Sequence, residues 1–225
     1  MIKSILLLLV ALLCLPSSVF CAAPEKTDRC HCFRDRDYDP ANRFAADDYL
    51  LTTSFNSLVA ATLDISKRQI VMLKMQGGVD SREFLIGRYL AFHSGMPLDD
   101  LLDMRNHGVS WQKIFHSQKN MPEKNNAVLS AIEKGAPDTK IADLISDDLL
   151  SRRYHAQAAE LKKLRRQNLS SKEINVILAL HNLTPLPINR LVELYRSGGK
   201  SWSEIAATFN LSPAAVGKFI LNKPS

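Results

Sequence analysis

Apolar positions along this 225-residue chain fall into three regimes. Residues 5–15 form an unbroken apolar run. Residues 24–44 are polar and rich in Asp and Arg. From residue 46 onward apolar side chains recur at three- and four-residue spacing, the pattern of helices with one buried face. The spacing predicts helices over 46–62, 67–76, 81–94, 98–107, 111–117, 123–134, 139–167, 171–182, 187–197, 202–209 and 213–222. Alternating β-branched runs closed by Asn-Gly or Asp-Gly turns do not occur, so the expected class is all-α.

Helix ends are legible as well. Asp80 with Glu83, Ser66 with Gln69, Ser170 with Glu173 and Ser201 with Glu204 have capping-box spacing. In that box a side chain at each end of the first turn satisfies an N–H that has no helical partner. Gly77, Gly108 and Gly198 follow helix ends, where a left-handed residue closes the last turn. Pro97, Pro187 and Pro213 stand where a first turn tolerates proline.

The apolar run at the start has the layout of an export signal. Lys3 supplies the positive charge, residues 5–15 the apolar stretch, and Pro16, Ser17 and Ser18 the break before small residues. Eleven apolar residues are too few for about 30 Å of hydrocarbon, which takes about 20 in a helix. The expectation is export to the periplasm, with no later transmembrane span. Lipid attachment at Cys21 would need a small residue where Phe20 stands. Five regions follow: signal peptide 1–23, Cys-containing arm 24–44, helical module 45–136, a long basic connecting helix region 137–169, and a second helical module 170–225.

The chain also echoes itself. At an offset of 90, Ser81, Glu83, Leu90, Pro97, Leu101 and Gly108 fall on Ser171, Glu173, Leu180, Pro187, Leu191 and Gly198. One inserted residue later, Ser110, Trp111, Ile114 and Pro122 fall on Ser201, Trp202, Ile205 and Pro213. A shorter echo sets residues 60–66, AATLDIS, against 206–212, AATFNLS. Residues 111–129 read as an eroded third copy. These identities occupy caps, turns and apolar anchors, which points to duplication of a helical module.

Charge is placed unevenly. Residues 25–150 carry 16 Lys and Arg against 19 Asp and Glu, whereas residues 151–225 carry 12 against 4. Arg152, Arg153, Lys162, Lys163, Arg165 and Arg166 share one predicted helix. With Lys218 they are the candidates for an anionic partner: nucleic acid, phospholipid, glycan, or the acidic part of this same chain. The remaining cysteines, Cys30 and Cys32, flank His31. They admit a disulfide of some kind, a metal site still short of a fourth ligand, or free thiols.

Residues 201–220 resemble the helix-turn-helix of sigma-factor-like and resolvase-like DNA-binding domains. Ser201 caps, Ile205 and Ala206 face inward, residues 210–212 turn, and Val216 and Phe219 anchor the second helix. Asn210 takes the place of the usual glycine and also tolerates a left-handed backbone. The mature chain, with its CHCFRDR opening, is also similar to a family of exported proteobacterial proteins that lends no activity. The second helix of the motif offers Pro213, Ala214, Ala215, Gly217 and Lys218, and only Lys218 donates a side-chain hydrogen bond; Lys67, Arg68 and Gln69 are the better-equipped set in the earlier copy. Base reading needs Arg, Asn, Gln, Ser or Lys on the first exposed turns. Sequence-specific DNA binding is therefore not expected, and a partner protein or an anionic envelope surface is.

Catalytic signals are thin. His31, His93, His107, His116, His155 and His181 are scattered, and no phosphate loop, G-x-S-x-G or H-E-x-x-H occurs. The pairs Asp47-Asp48, Asp99-Asp100 and Asp147-Asp148 read as helix starts, and Trp111 and Trp202 as core anchors. No catalytic residue and no cofactor are assigned. The function expected is an exported helical protein with a structural or protein-interaction role in the envelope; a DNA-binding regulator with a retained apolar N-terminus is the alternative.

Overall fold

The computed structural model describes residue 33 and residues 35–76, 78–118 and 126–222. Among them are twelve α-helices, one short 3-10 turn (Pro40–Asn42) and no strand. In order they are α1 (Asp47–Thr62), α2 (Lys67–Gln76), α3 (Ser81–Ser94), α4 (Leu98–Asn106), α5 (Trp111–Ser117) and α6 (Ala127–Glu133). The second half holds α7 (Asp138–Tyr154), α8 (Ala158–Arg166), α9 (Ser171–Leu183), α10 (Ile188–Arg196), α11 (Trp202–Ala207) and α12 (Pro213–Leu221). The signal segment, the triplet Cys30, His31 and Cys32, and Pro122 lie outside the described residues.

The caps separate into two kinds. Ser170 with Glu173 and Ser66 with Gln69 close reciprocal boxes. Asp80 accepts from the N–H of Arg82 and of Glu83, and Ser201 Oγ from the Glu204 N–H at 3.0 Å. Glu204 does not return the bond, because its carboxylate is drawn to Arg43 and Lys200. Pro97 and Pro187 sit at the cap position itself, and Pro213 in the first turn.

Two helices lie at the centre, for different reasons. Every residue of α9 from Ile174 to Leu180 is buried, and a helix apolar all round belongs inside. The other centre, α1, buries Thr52, Thr53, Ser54, Asn56 and Ser57 beside Leu50, Leu58 and Val59. Its side chains here are small, and Ser57 Oγ folds back on the Thr53 carbonyl at 2.8 Å. That leaves a shallow face against which α12 packs closely: a Cβ on Gly217 would stand 3.3 Å from Ser57 Oγ. Further along, Ile220 and Leu221 share a cleft with Ala61 and Thr62. So α1 and α12 run side by side in the same direction.

The helix expected over 139–167 is two helices. It breaks at His155, which takes a left-handed conformation (φ 56°). Neither Gly nor Pro marks the spot, so the periodicity reads straight through it. The break comes from tertiary anchors: Tyr154 donates to Asn175 Oδ1 at 2.8 Å, and Arg153 reaches the end of α12. His is among the residues that visit this backbone region most readily. The helix then restarts as α8, which buries Leu161 and Leu164. The expected pair Asp147-Asp148 accordingly falls inside α7 and not at a helix start. The helix expected from residue 123 begins at Ala127, capped by Asn126.

A strap formed by residues at the start of the described chain ties α11 to α1. Arg43 pairs with Glu204 and donates to the Gly199 carbonyl. Asp47, buried at the start of α1, leaves its own helix without a side-chain cap. Its carboxylate instead accepts from Trp202 N (3.0 Å), Ser203 N (2.8 Å) and Ser203 Oγ (2.6 Å). It caps α11 from 155 residues away.

Asp47→Ala would strand two buried N–H groups at the start of α11. Loss of a cap together with unsatisfied buried donors is expected to cost about 2–4 kcal/mol. Urea unfolding would read this as a lower midpoint, and Asp47→Asn, which keeps one acceptor oxygen, should lose less. An unchanged midpoint for Asp47→Ala would show that the strap contributes nothing to stability.

Candidate functional site

The helix-turn-helix-like segments are the natural place to look for a binding surface. In the C-terminal one, Asn210 adopts φ 57° and the Leu211 N–H returns to the Ala206 carbonyl at 3.1 Å. Ser212 Oγ then accepts from Ala215 N at 3.1 Å to start α12. The turn between α1 and α2 follows the same course. Asp64 takes φ 50°, the Ile65 N–H reaches the Ala60 carbonyl at 3.5 Å, and Ser66 caps α2.

Neither second helix is equipped to read bases. The buried face of α12 (Pro213, Val216, Gly217, Ile220) is turned inward, much of it onto α1, and the exposed side shows Ala214, Ala215, Lys218 and Leu221. In α2, Lys67 looked the better candidate in sequence, but its ammonium is folded inward onto Thr53 Oγ1 at 2.5 Å. Burial there pushes its pKa below the ordinary lysine value. Gln69 is occupied by the Ser66 cap. Arg68 and Gln69 are exposed, and of the three only Arg68 is neither turned inward nor used by a cap.

The seven basic candidates do not converge on one patch. Arg153 donates to the carbonyls of Phe219, Ile220 and Asn222, neutralising the C-terminal end of α12. Arg152 pairs with Asp148 at 2.8 Å and lies 5.9 Å over the Tyr89 ring. Arg165 binds Asp147 at 2.7 Å, Ser171 Oγ at 2.8 Å and Asp143 at 3.5 Å. Lys163 donates to Asn189 Oδ1 at 3.2 Å. Lys162, Arg166 and Lys218 stay exposed. Three of the seven thus find their anionic partner in the chain itself, either carboxylates of α7 or a helix end.

That use of arginine recurs. Arg88 donates to the carbonyls of Leu63 and Asp64 at the end of α1, and Arg196 to those of Gln167 and Asn168 at the end of α8. The ends of α1, α7 and α12 meet in a cleft of ≈ 390 Å³ lined by Ala61, Thr62, Arg152, Arg153, His155, Ile220 and Leu221. Helix C-termini each carry roughly half a negative charge, so their convergence calls for cations.

A second cluster has no counterpart in the sequence reading. The Tyr89 hydroxyl donates to Asp148 Oδ2 at 3.0 Å and accepts from Asn126 Nδ2 at 2.7 Å. The His93 ring lies 4.5 Å from that of Tyr89. Burial, and then the Arg152 charge, hold His93 below its ordinary pKa, and burial raises that of Tyr89. A neutral imidazole and an un-ionised phenol suit packing between α3 and α7. Asn126 and Asp148 also border a groove of ≈ 700 Å³ whose rim includes Lys140, Asp143, Lys162 and Arg165.

Trp111 and Trp202 are core anchors, as expected. Each is buried, with the Arg105 guanidinium 5.3 Å from the first and the Tyr195 ring stacked 4.2 Å from the second. Upstream, Phe33 and Arg36 pack on Tyr49. Among the described residues no group of three or more His, Cys, Asp or Glu side chains could hold a metal ion. No family model matches this chain, and no curated protein or solved structure matches it either.

Of the residues that the pattern missed, Asn175 alone left a mark, as an amide inside the apolar run 174–180 that needs a partner. Asp47 read only as a helix-start acid, because the donors it serves on α11 lie beyond any local window.

The strap carries a defined pH sensitivity. The Lys200 ammonium, and then Arg43, hold the Glu204 carboxyl below its ordinary value. A lowered folded-state pKa contributes stability above the unfolded value, and that contribution is lost as pH falls through the folded one. Asp47 runs the other way: burial raises its pKa against the pull of Ser203 and Trp202, so acid does not release it through charge. Amides of residues 35–46 should lose hydrogen-exchange protection selectively as acid protonates Glu204, below the ordinary carboxylate range, with Glu204→Gln showing the same loss at neutral pH. Protection that stays level across that range would count against the clamp.

Proposed function

We propose that this chain is an exported helical protein of the cell envelope that works as an interaction scaffold. The observation that carries this reading is the state of its two second helices. The exposed side of α12 shows alanines and one lysine, and Lys67 of α2 is turned onto Thr53. A helix that reads a major groove presents several hydrogen-bonding side chains on its first exposed turns. The duplication read from the sequence supplies the scaffold. In keeping with it, α3, α4 and α5 start at Ser81, Leu98 and Trp111, and α9, α10 and α11 at Ser171, Ile188 and Trp202. Fold resemblance alone does not carry DNA binding across.

The leading apolar run gives the compartment. Among the described residues no helix is long and apolar enough to cross a membrane. One observation favours the other reading, a DNA-binding regulator: the turns at Asp64 and Asn210 have the left-handed geometry of a helix-turn-helix.

Cell fractionation with N-terminal sequencing separates the two. The scaffold reading expects a processed chain outside the cytoplasm and no duplex binding even at low salt, where phosphate contacts are strongest. A full-length cytoplasmic chain that binds duplex with a steep salt slope would establish the regulator.

A further inference from the structure

Most exposed basic residues of the final third lie on two helices, α8 and α10, although Arg190 pairs with Glu193 and Arg196 also holds the end of α8. Helix α10 lies beside α8 and runs in the same direction. Lys163 reaches Asn189 near the start of α10, and Arg196 near its end reaches the carbonyls of Gln167 and Asn168. A cleft of ≈ 290 Å³ between them is lined by Glu160, Lys163, Leu164, His181, Pro187, Ile188 and Asn189. The outer side of this pair shows Lys162, Lys163, Arg166, Arg190 and Arg196, all exposed. Of the acids on the two helices, Glu193 is paired with Arg190 at 2.7 Å and Glu160 stands at the first turn of α8. Lys162 also borders the groove in which Arg165 pairs with Asp143 and Asp147, so Lys163 and Arg166 are the charges of α8 farthest from those acids.

We propose that the α8–α10 face is an electrostatic docking surface for an anionic phospholipid bilayer. The proposal rests on the envelope reading for where such a bilayer is met, but vesicle binding tests it apart from location. Cations spread over two neighbouring helices match a flat anionic surface. These cations belong to two separate helices bridged by Lys163 and Arg196, whereas a major groove about 12 Å wide admits one helix. The large exposed apolar side chains Phe44, Met72, Met75, Phe92 and Leu221 lie on the arm, α2, α3 and α12, none of them on α8 or α10. Attachment through this face is therefore charge-driven and reversible, held by lysine and arginine near lipid headgroups and screened by salt.

The test is co-sedimentation of the purified processed protein with vesicles of phosphatidylcholine containing about a third phosphatidylglycerol, against phosphatidylcholine alone. Binding should require the anionic lipid and fade as salt rises. The triple variant Lys162→Gln, Lys163→Gln, Arg166→Gln should partition roughly 100-fold less, at about fivefold per charge. Lys218→Gln should bind as the parent does. All four side chains are exposed, so an unchanged melting curve confirms that each variant is folded. Equal binding to both vesicle types, no binding, or a triple variant that binds normally would overturn the proposal. So would tighter binding to a DNA duplex that the same triple variant abolishes.

Discussion

Two helices that run parallel and side by side set the terms for the rest of this molecule. α1 and α12 aim their C-terminal ends at one cleft, and α7 ends there too. Aligned peptide dipoles repel in that arrangement, and unbonded carbonyls collect around the cleft. Arg88 and Arg153 supply the answer by donating directly to the last carbonyls of α1 and α12. At the opposite end the Asp47 carboxylate gathers the free N–H groups of α11. Charge is thus spent holding helix ends, and the fold is as much an arrangement of capped dipoles as of packed apolar faces.

This accounts for the uneven charge along the chain. A basic final third invites the search for an external polyanion, yet much of its charge meets the acidic part internally. Arg152 and Arg165 neutralise carboxylates of α7, while Arg43, from the acidic part, crosses in return to Glu204. The outside of α8 and α10 is where the surplus stays in water.

Local signals were readable because they act over a few residues. Caps such as Ser170 with Glu173 and the left-handed Asn210 follow from side chains that meet within one turn. The class follows from periodicity. What escaped detection is what distance hides. The break at His155 depends on Asn175 and on the end of α12, and no window around residue 155 contains either. The fates of Lys67 and Arg153 were illegible for the same reason, since a lysine turned onto Thr53 and a lysine facing water read alike in sequence. The arm residues Cys30 and Cys32 lie outside the described residues, just ahead of Phe33 on Tyr49.

The strap also bears on the order in which the chain can fold. Its bonds join residues 155 to 161 positions apart, and the small-residue face of α1 is closed by α12. A chain that emerges from its N-terminus therefore presents α1 first and receives the cover for it last. Until then, the hydroxyls of α1 and the Asp47 carboxylate face solvent, and the loop to be closed spans 155 to 161 of the 225 residues. Long-range closure of this kind is slow and leaves partly formed helices exposed in the meantime. Such a topology postpones commitment to the native state until α12 is free to close over α1.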